Sequence, residues 1–190
     1  MPLLSAQIAQ MPANGSVTFQ YGILTLTGSD SKQNVFVVDG ADLSSANTLR
    51  INVPAGATAL INVSGVTVNF QYMGMFINNN GGDAPAGQDR VLFNFYQATT
   101  LNVSGIGVKG SILAPLAVVN FSNGHINGTL IGKSMANGYG EAHHYPFVGC
   151  VPSLQVAPTP TPLPTNTPVP THTPTFTRTP TFTQKHTPTK

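Results

Sequence analysis

The sequence predicts an all-β protein: a right-handed β-solenoid of stacked short strands, with a short N-terminal helix and an extended Pro/Thr-rich tail. A β-sandwich is the alternative. Three observations carry this. Between Val91 and Gly149 short apolar runs (Val91–Phe95, Leu101–Val103, Ile112–Leu113, Val118–Phe121, Leu130–Ile131) are separated by Gly, Asn and Ser, and none is long enough for a helix. Gly110-Ser111-Ile112-Leu113 returns as Gly128-Thr129-Leu130-Ile131, and Asn62-Val63-Ser64-Gly65 returns as Asn102-Val103-Ser104-Gly105. Only 7 % of the 190 residues are charged, against about a quarter in ordinary soluble domains. The deficit is filled by small polar residues suited to hydrogen-bonding sugars, water or another copy.

The elements follow in order. Leu4, Ile8 and Met11 share one helical face before Pro12, Asn14 and Gly15 stop the pattern, so residues 3–11 form a short helix lying on the sheet. From Val17 the pattern turns to strand. Ile23–Thr27 alternates, Val35–Val38 runs up to an Asp39-Gly40 turn, and Leu49–Val53 stops at Pro54. Ala57–Val63 ends in Ser64-Gly65, and Val66–Tyr72 alternates again. Residues 78–90 form the one long polar loop.

Composition breaks near Pro152, dividing a head (1–151) from a stalk (152–190). From Ala157 onward every Thr is odd-numbered: Thr159, Thr161, Thr165, Thr167, Thr171, Thr173, Thr175, Thr177, Thr179, Thr181, Thr183, Thr187 and Thr189. Every Pro there is even-numbered. Proline fixes its own φ, removes a donor and holds the preceding residue extended. A stiff spacer with its Thr hydroxyls as O-glycosylation candidates is the expectation.

Several function classes are disfavoured. A net charge of +2 with scattered Lys and Arg argues against nucleic acid. No apolar run reaches membrane-spanning length, so membrane insertion of this chain is not expected. The six acids (Asp30, Asp39, Asp42, Asp83, Asp89, Glu141) are dispersed, and no nucleophile elbow, phosphate loop or zinc-protease motif occurs, so no catalytic residue and no cofactor is assigned. The densest polar group is Glu141-Ala142-His143-His144-Tyr145. On a strand Glu141 and His143 share a face, and a metal would need a third ligand from His125 or Asp39. A closing strand that caps the last coil is the preferred reading. Cys150, the only cysteine, reads as a small buried side chain. Asn14, Asn62, Asn102, Asn120 and Asn127 begin Asn-x-Ser/Thr tripeptides. Left-handed turns or amide ladders are preferred there over N-glycosylation.

The ordered motifs Asn34-Val35-Phe36, Leu60 to Gly65, Val91 to Phe95, Gly110-Ser111-Ile112-Leu113-Ala114-Pro115, Ile126-Asn127-Gly128, and Gly140 to His143 with Pro146 to Gly149 resemble the choice-of-anchor A domain of bacterial cell surfaces. That resemblance covers residues 3–149 and implies a surface head followed by a spacer, with a preceding half and a leader that lie before Met1. The Gly110–Pro115 and Ile126–Gly132 segments are also similar to the solenoid coils of bacterial ice-binding domains, although no Thr ladder is visible in the head. The expected function is therefore extracellular and structural: a fibril or surface-layer subunit whose partners are other copies of itself, through open solenoid ends, and covalent glycans on the stalk. The alternative is an adhesin that binds glycan, a matrix ligand or ice through one face.

Overall fold

The computed structural model describes residues 1–153. Its elements are helix α1 (Pro2–Ala9), strands β1 (Ser16–Gln20), β2 (Ile23–Thr27) and β3 (Gln33–Val38), helix α2 (Gly40–Ser45), then strands β4 (Thr48–Asn52), β5 (Thr58–Val63), β6 (Thr67–Gln71) and β7 (Gly74–Ile77). A 3₁₀ turn (Gln88–Arg90) precedes β8 (Val91–Asn94), β9 (Thr100–Lys109), β10 (Ser111–Asn127) and β11 (Leu130–His143). The expected head is thus mostly β.

Two sheets form, one in the order β1-β2-β4-β7 and the other β3-β5-β8-β10-β9-β6, with β11 also paired to β10. Every pair is parallel except the β1-β2 hairpin. That hairpin turns on Tyr21 and Gly22, both at positive φ (52° and 77°). Two consecutive left-handed residues match the right-handed twist of the strands. The Gly110 repeat has a direct structural meaning: Ile112 pairs Leu130 and Leu113 pairs Ile131 in parallel register. The Asn62 and Asn102 repeats, by contrast, sit on β5 and β9, which are not neighbours.

Strand alternation divides the apolar residues into two cores. The larger lies between the sheets, where Phe70 sits 5.0 Å from Phe93 and 5.9 Å from Phe95, ring centre to ring centre. The smaller lies under α1, where Ile8 meets Val35, Leu60, Leu92 and Leu113, flanked by Leu4, Met11, Ile131 and Phe147. The helix is docked by polar chemistry as well. Asn62 Nδ2 donates to the Ile8 carbonyl (2.9 Å), Asn94 Nδ2 to the Ser5 carbonyl (2.8 Å), and Ser5 Oγ to Asn94 Oδ1 (2.6 Å). These buried groups satisfy one another, as burial requires.

The structure corrects three expectations and narrows a fourth to one of its two forms. Asp39-Gly40 is not a simple turn: the Asp39 carboxylate accepts from Ala41 N (2.8 Å) and starts α2. The runs around Ile112 and Val118 are not separate strands but parts of the 17-residue β10, whose pairing to β11 shifts register between Ala114 and Val118, between Val119 and Asn120, and between Ser122 and His125. Cys150 is exposed; its backbone is what is held, by Thr58 Oγ1 and Gln33 Nε2 (both 2.9 Å). None of the five tripeptide asparagines is left-handed. Asn62, Asn102 and Asn120 instead join amide ladders, and Asn62 is only 1 % exposed.

Candidate functional site

Of four neighbouring parallel strands, β6, β9, β10 and β11, the first three send Val68, Phe70, Leu101, Val103, Val119 and Phe121 into the core. Side chains alternate along a strand, so the residues between these face outward. Pairing aligns them in three rows: Thr67, Thr100, Val118 and Ser134; Asn69, Asn102, Asn120 and Asn137; Gln71, Ser104, Ser122 and Tyr139. Strands lie about 4.8 Å apart and alternate residues about 6.6 Å apart along a strand. The rows therefore make an array mostly of amides and hydroxyls, interrupted by Val118 and by an extra residue in β11 between Met135 and Asn137, with no charged residue in it.

The array is internally ordered. Asn102 Nδ2 donates to Asn69 Oδ1, and Asn120 Nδ2 to Asn102 Oδ1, both at 2.8 Å. Ser122 Oγ donates to Ser104 Oγ at 3.2 Å. Each amide held this way still presents its remaining donor and acceptor capacity to solvent. The face ends at a corner where β6 stops and β9 and β10 turn, each on a left-handed residue, Tyr72, Gly105 and Asn123 (φ 50°, 60° and 49°). A Cβ on Gly105 would meet the Tyr72 ring at 2.5 Å, so glycine there permits the stacking.

Beyond the corner lies the predicted Glu141 group. The structure brings His125, Glu141 and His143 together: His125 pairs Glu141 across β10 and β11, and the two imidazoles stack with centres 5.2 Å apart and planes 15° apart. Ring nitrogens bind a metal in the plane of the ring, so two nearly parallel stacked rings do not aim at one ion. His143 is also occupied, with Nδ1 at 2.8 Å from Asn127 Oδ1 and Nε2 at 3.2 Å from Glu141 Oε2. Asp39, the other candidate third ligand, is the cap of α2. Among the described residues no three His, Cys, Asp or Glu side chains are placed to hold a metal ion. Asn127 ties this corner to the polar loop by donating to the Asp83 carbonyl. Beside Asn127, Lys109 is buried at the end of β9. Burial lowers its pKa from the usual 10.5, and the Asp83 charge partly opposes the shift.

The outward rows were missed in the sequence because they run across strands rather than along them. The available signal was the 18-residue spacing from Asn102 to Asn120 and Ser104 to Ser122, the same interval that separates the Gly110 and Gly128 motifs. The thirteen stalk threonines lie outside the described residues. No helix among the described residues is long and apolar enough to cross a membrane.

No curated protein and no solved structure matches the chain. Residues 3–144 match the family described as "Putative Ice-binding-like adhesive domain". This agrees with the ice-binding likeness of the Gly110 and Gly128 segments and goes with a surface, adhesin-type role. Because the match takes in nearly the whole β-rich head, the chain belongs to this ice-binding-like adhesive family.

Proposed function

We propose that the head is an extracellular adhesin that binds a neutral, hydroxyl-rich, repeating ligand, a polysaccharide surface, through the outward face of β6, β9, β10 and β11. The observation that carries this is the three-row array, in which Asn69, Asn102 and Asn120, pre-ordered by ladder hydrogen bonds, offer donors and acceptors at strand spacing. Pre-ordering removes part of the entropy cost of binding. Ice is the second reading, supported by the family description. It is the weaker one because a single Thr pair, Thr67 and Thr100, stands where repeated Thr would be expected. The reading is non-catalytic, as the array contains no carboxylate.

Solenoid stacking is favoured over a sandwich because all neighbours except the β1-β2 hairpin are parallel, whereas sandwiches are built from antiparallel sheets. The division into a 1–151 head and a 152–190 O-glycosylated stalk is proposed from the Thr/Pro alternation alone, and intact mass of the native protein tests the glycan. The choice-of-anchor A likeness is carried by the quoted motifs alone. A fibril role would require self-association, and the outer edge of β11, which pairs with no strand among the described residues, is the feature that favours it.

The test of the adhesin reading is binding of the full chain to a glycan array beside an ice-recrystallisation assay, each repeated with Asn102→Ala/Asn120→Ala. Glycan binding that falls at least about tenfold in the double variant is expected from losing several hydrogen bonds. Activity only in the ice assay would transfer the face to ice, and binding unchanged by the double variant would remove this face from the function.

A further inference from the structure

The chain has five tyrosines, and the three most exposed among the described residues, Tyr21 (96 %), Tyr139 (84 %) and Tyr72 (71 %), stand on one corner of the stack. Strand pairing fixes their places. Ile23 pairs Thr48 and Thr48 pairs Gly74, so Tyr21 and Tyr72, each two residues earlier, are two strands apart. Gln71 pairs Ser104, Ser104 pairs Ser122 and Ser122 pairs Tyr139, so Tyr139 lies three strands beyond β6. The three tyrosines therefore follow one line along the stack, separated by about 10 Å and about 14 Å at the backbone.

Two of them hold an unusual backbone. Tyr21 and Tyr72 are left-handed (φ 52° and 50°), and among the described residues every other position at positive φ is Gly or Asn. A bulky side chain is strained there, and rings this exposed gain no burial to offset the strain. Strain kept at an exposed position points to a use for the ring itself. Tyr72 is also fixed in place. Its N–H donates to the Ser104 carbonyl (3.0 Å), and its ring rests on Gly105, where a Cβ would fall 2.5 Å from it.

We propose that Tyr21, Tyr72 and Tyr139 are a stacking track for one extended chain of neutral β-1,4-linked hexopyranose lying along this corner, beside the amide rows. The inference rests on the adhesin reading and narrows its ligand. A tyrosine ring offers large, rigid contact area at low entropic cost. The C–H faces of such sugars are the apolar surface that fits it, and ice has no such surface. An extended β-1,4 chain advances by about one strand spacing per sugar, about 5 Å. Successive layers then meet successive sugars, and the three rings meet the first, third and sixth. The rows beside the track carry no charged residue, which matches an uncharged ligand, and Asn102 and Asn120 lie within reach of its hydroxyls.

The test is isothermal titration of the full 190-residue chain with cellohexaose and with maltohexaose, its coiled α-1,4 counterpart. The unaltered chain is compared with Tyr21→Ala, Tyr72→Ala, Tyr139→Ala and Tyr72→Phe, with circular dichroism to confirm folding. Cellohexaose is expected to bind in preference to maltohexaose, each alanine raising its Kd about tenfold. Tyr72→Phe keeps the ring and should keep the affinity. The chain has no tryptophan, so tyrosine emission should also change on binding. No binding of cellohexaose, no preference over maltohexaose, or alanine variants that bind as well as the unaltered chain would each overturn the inference. Glycan-array binding that depends on Asn102 and Asn120 but not on these tyrosines would overturn it and leave the adhesin reading standing. A chain that binds no glycan on the array would overturn both.

Discussion

Asn94 Nδ2 donates to Asn62 Oδ1 at 2.8 Å, in a buried seam where the same two side chains hold the Ser5 and Ile8 carbonyls of α1. The helix is therefore latched to β5 and β8 by amides as well as by Ile8. Asn94→Ala strands the Ser5 hydroxyl and Asn62 Oδ1 in a dry environment. A loss of about 2–3 kcal/mol in urea unfolding is expected, with faster hydrogen exchange in α1 than in β10. An unchanged unfolding midpoint would show that α1 is held by apolar contact alone.

Two glycines separate backbone freedom from crowding. Gly56 and Gly105 both have positive φ (79° and 60°), but a Cβ meets nothing within 4 Å at Gly56 and the Tyr72 ring at Gly105. Gly56→Ala should cost about 1 kcal/mol, the ordinary expense of a left-handed alanine. Gly105→Ala should cost that plus about 1–3 kcal/mol of overpacking. Equal melting shifts for the two would contradict the stacked corner.

Burial holds the Lys109 pKa below its usual 10.5. The unfolded chain then binds more protons than the folded one between the lowered value and 10.5, so stability from this group rises with pH across that window. Urea midpoints measured from neutral pH upward should show the rise, and Lys109→Met should flatten it relative to the unaltered chain. A variant with the same pH slope would mean that Lys109 is well solvated.

Much of the head was legible in the sequence where side-chain alternation is strict. Ile23–Thr27 is recovered to the residue as β2, and Leu49–Val53 as β4 to within one residue at each end. The helix expected over 3–11 is α1, shifted by one to two residues. What failed has local causes. Helix α2 is six residues long and starts on a cap that doubles as turn chemistry, Asp39-Gly40. β7, Gly74–Ile77, is four residues between a left-handed Tyr72 and the polar loop, too short to show a period. β10 was divided because the apolar runs Ile112–Leu113 and Val118–Phe121 stand apart in the sequence, whereas the residues between them, Pro115 included, lie in a register shift, where a missing donor is tolerated. The candidate site was invisible for a different reason. Asn69, Asn102 and Asn120 become neighbours only through parallel pairing over 33 and 18 residues, and no local pattern encodes that distance.

β10 pairs with β8 through residues 111–113, with β9 through residues 118–127, and with β11 along most of its length. It alone links the β3-β5-β8 half of the larger sheet to the β9-β6 half. During synthesis the strands before it emerge first, and the two halves must wait for it. Parallel pairing over long sequence distances is slow, since loop closure precedes the contacts that reward it. The nascent head thus carries unjoined sheet edges until about residue 127 has left the ribosome, and that interval is when it is most exposed to aggregation.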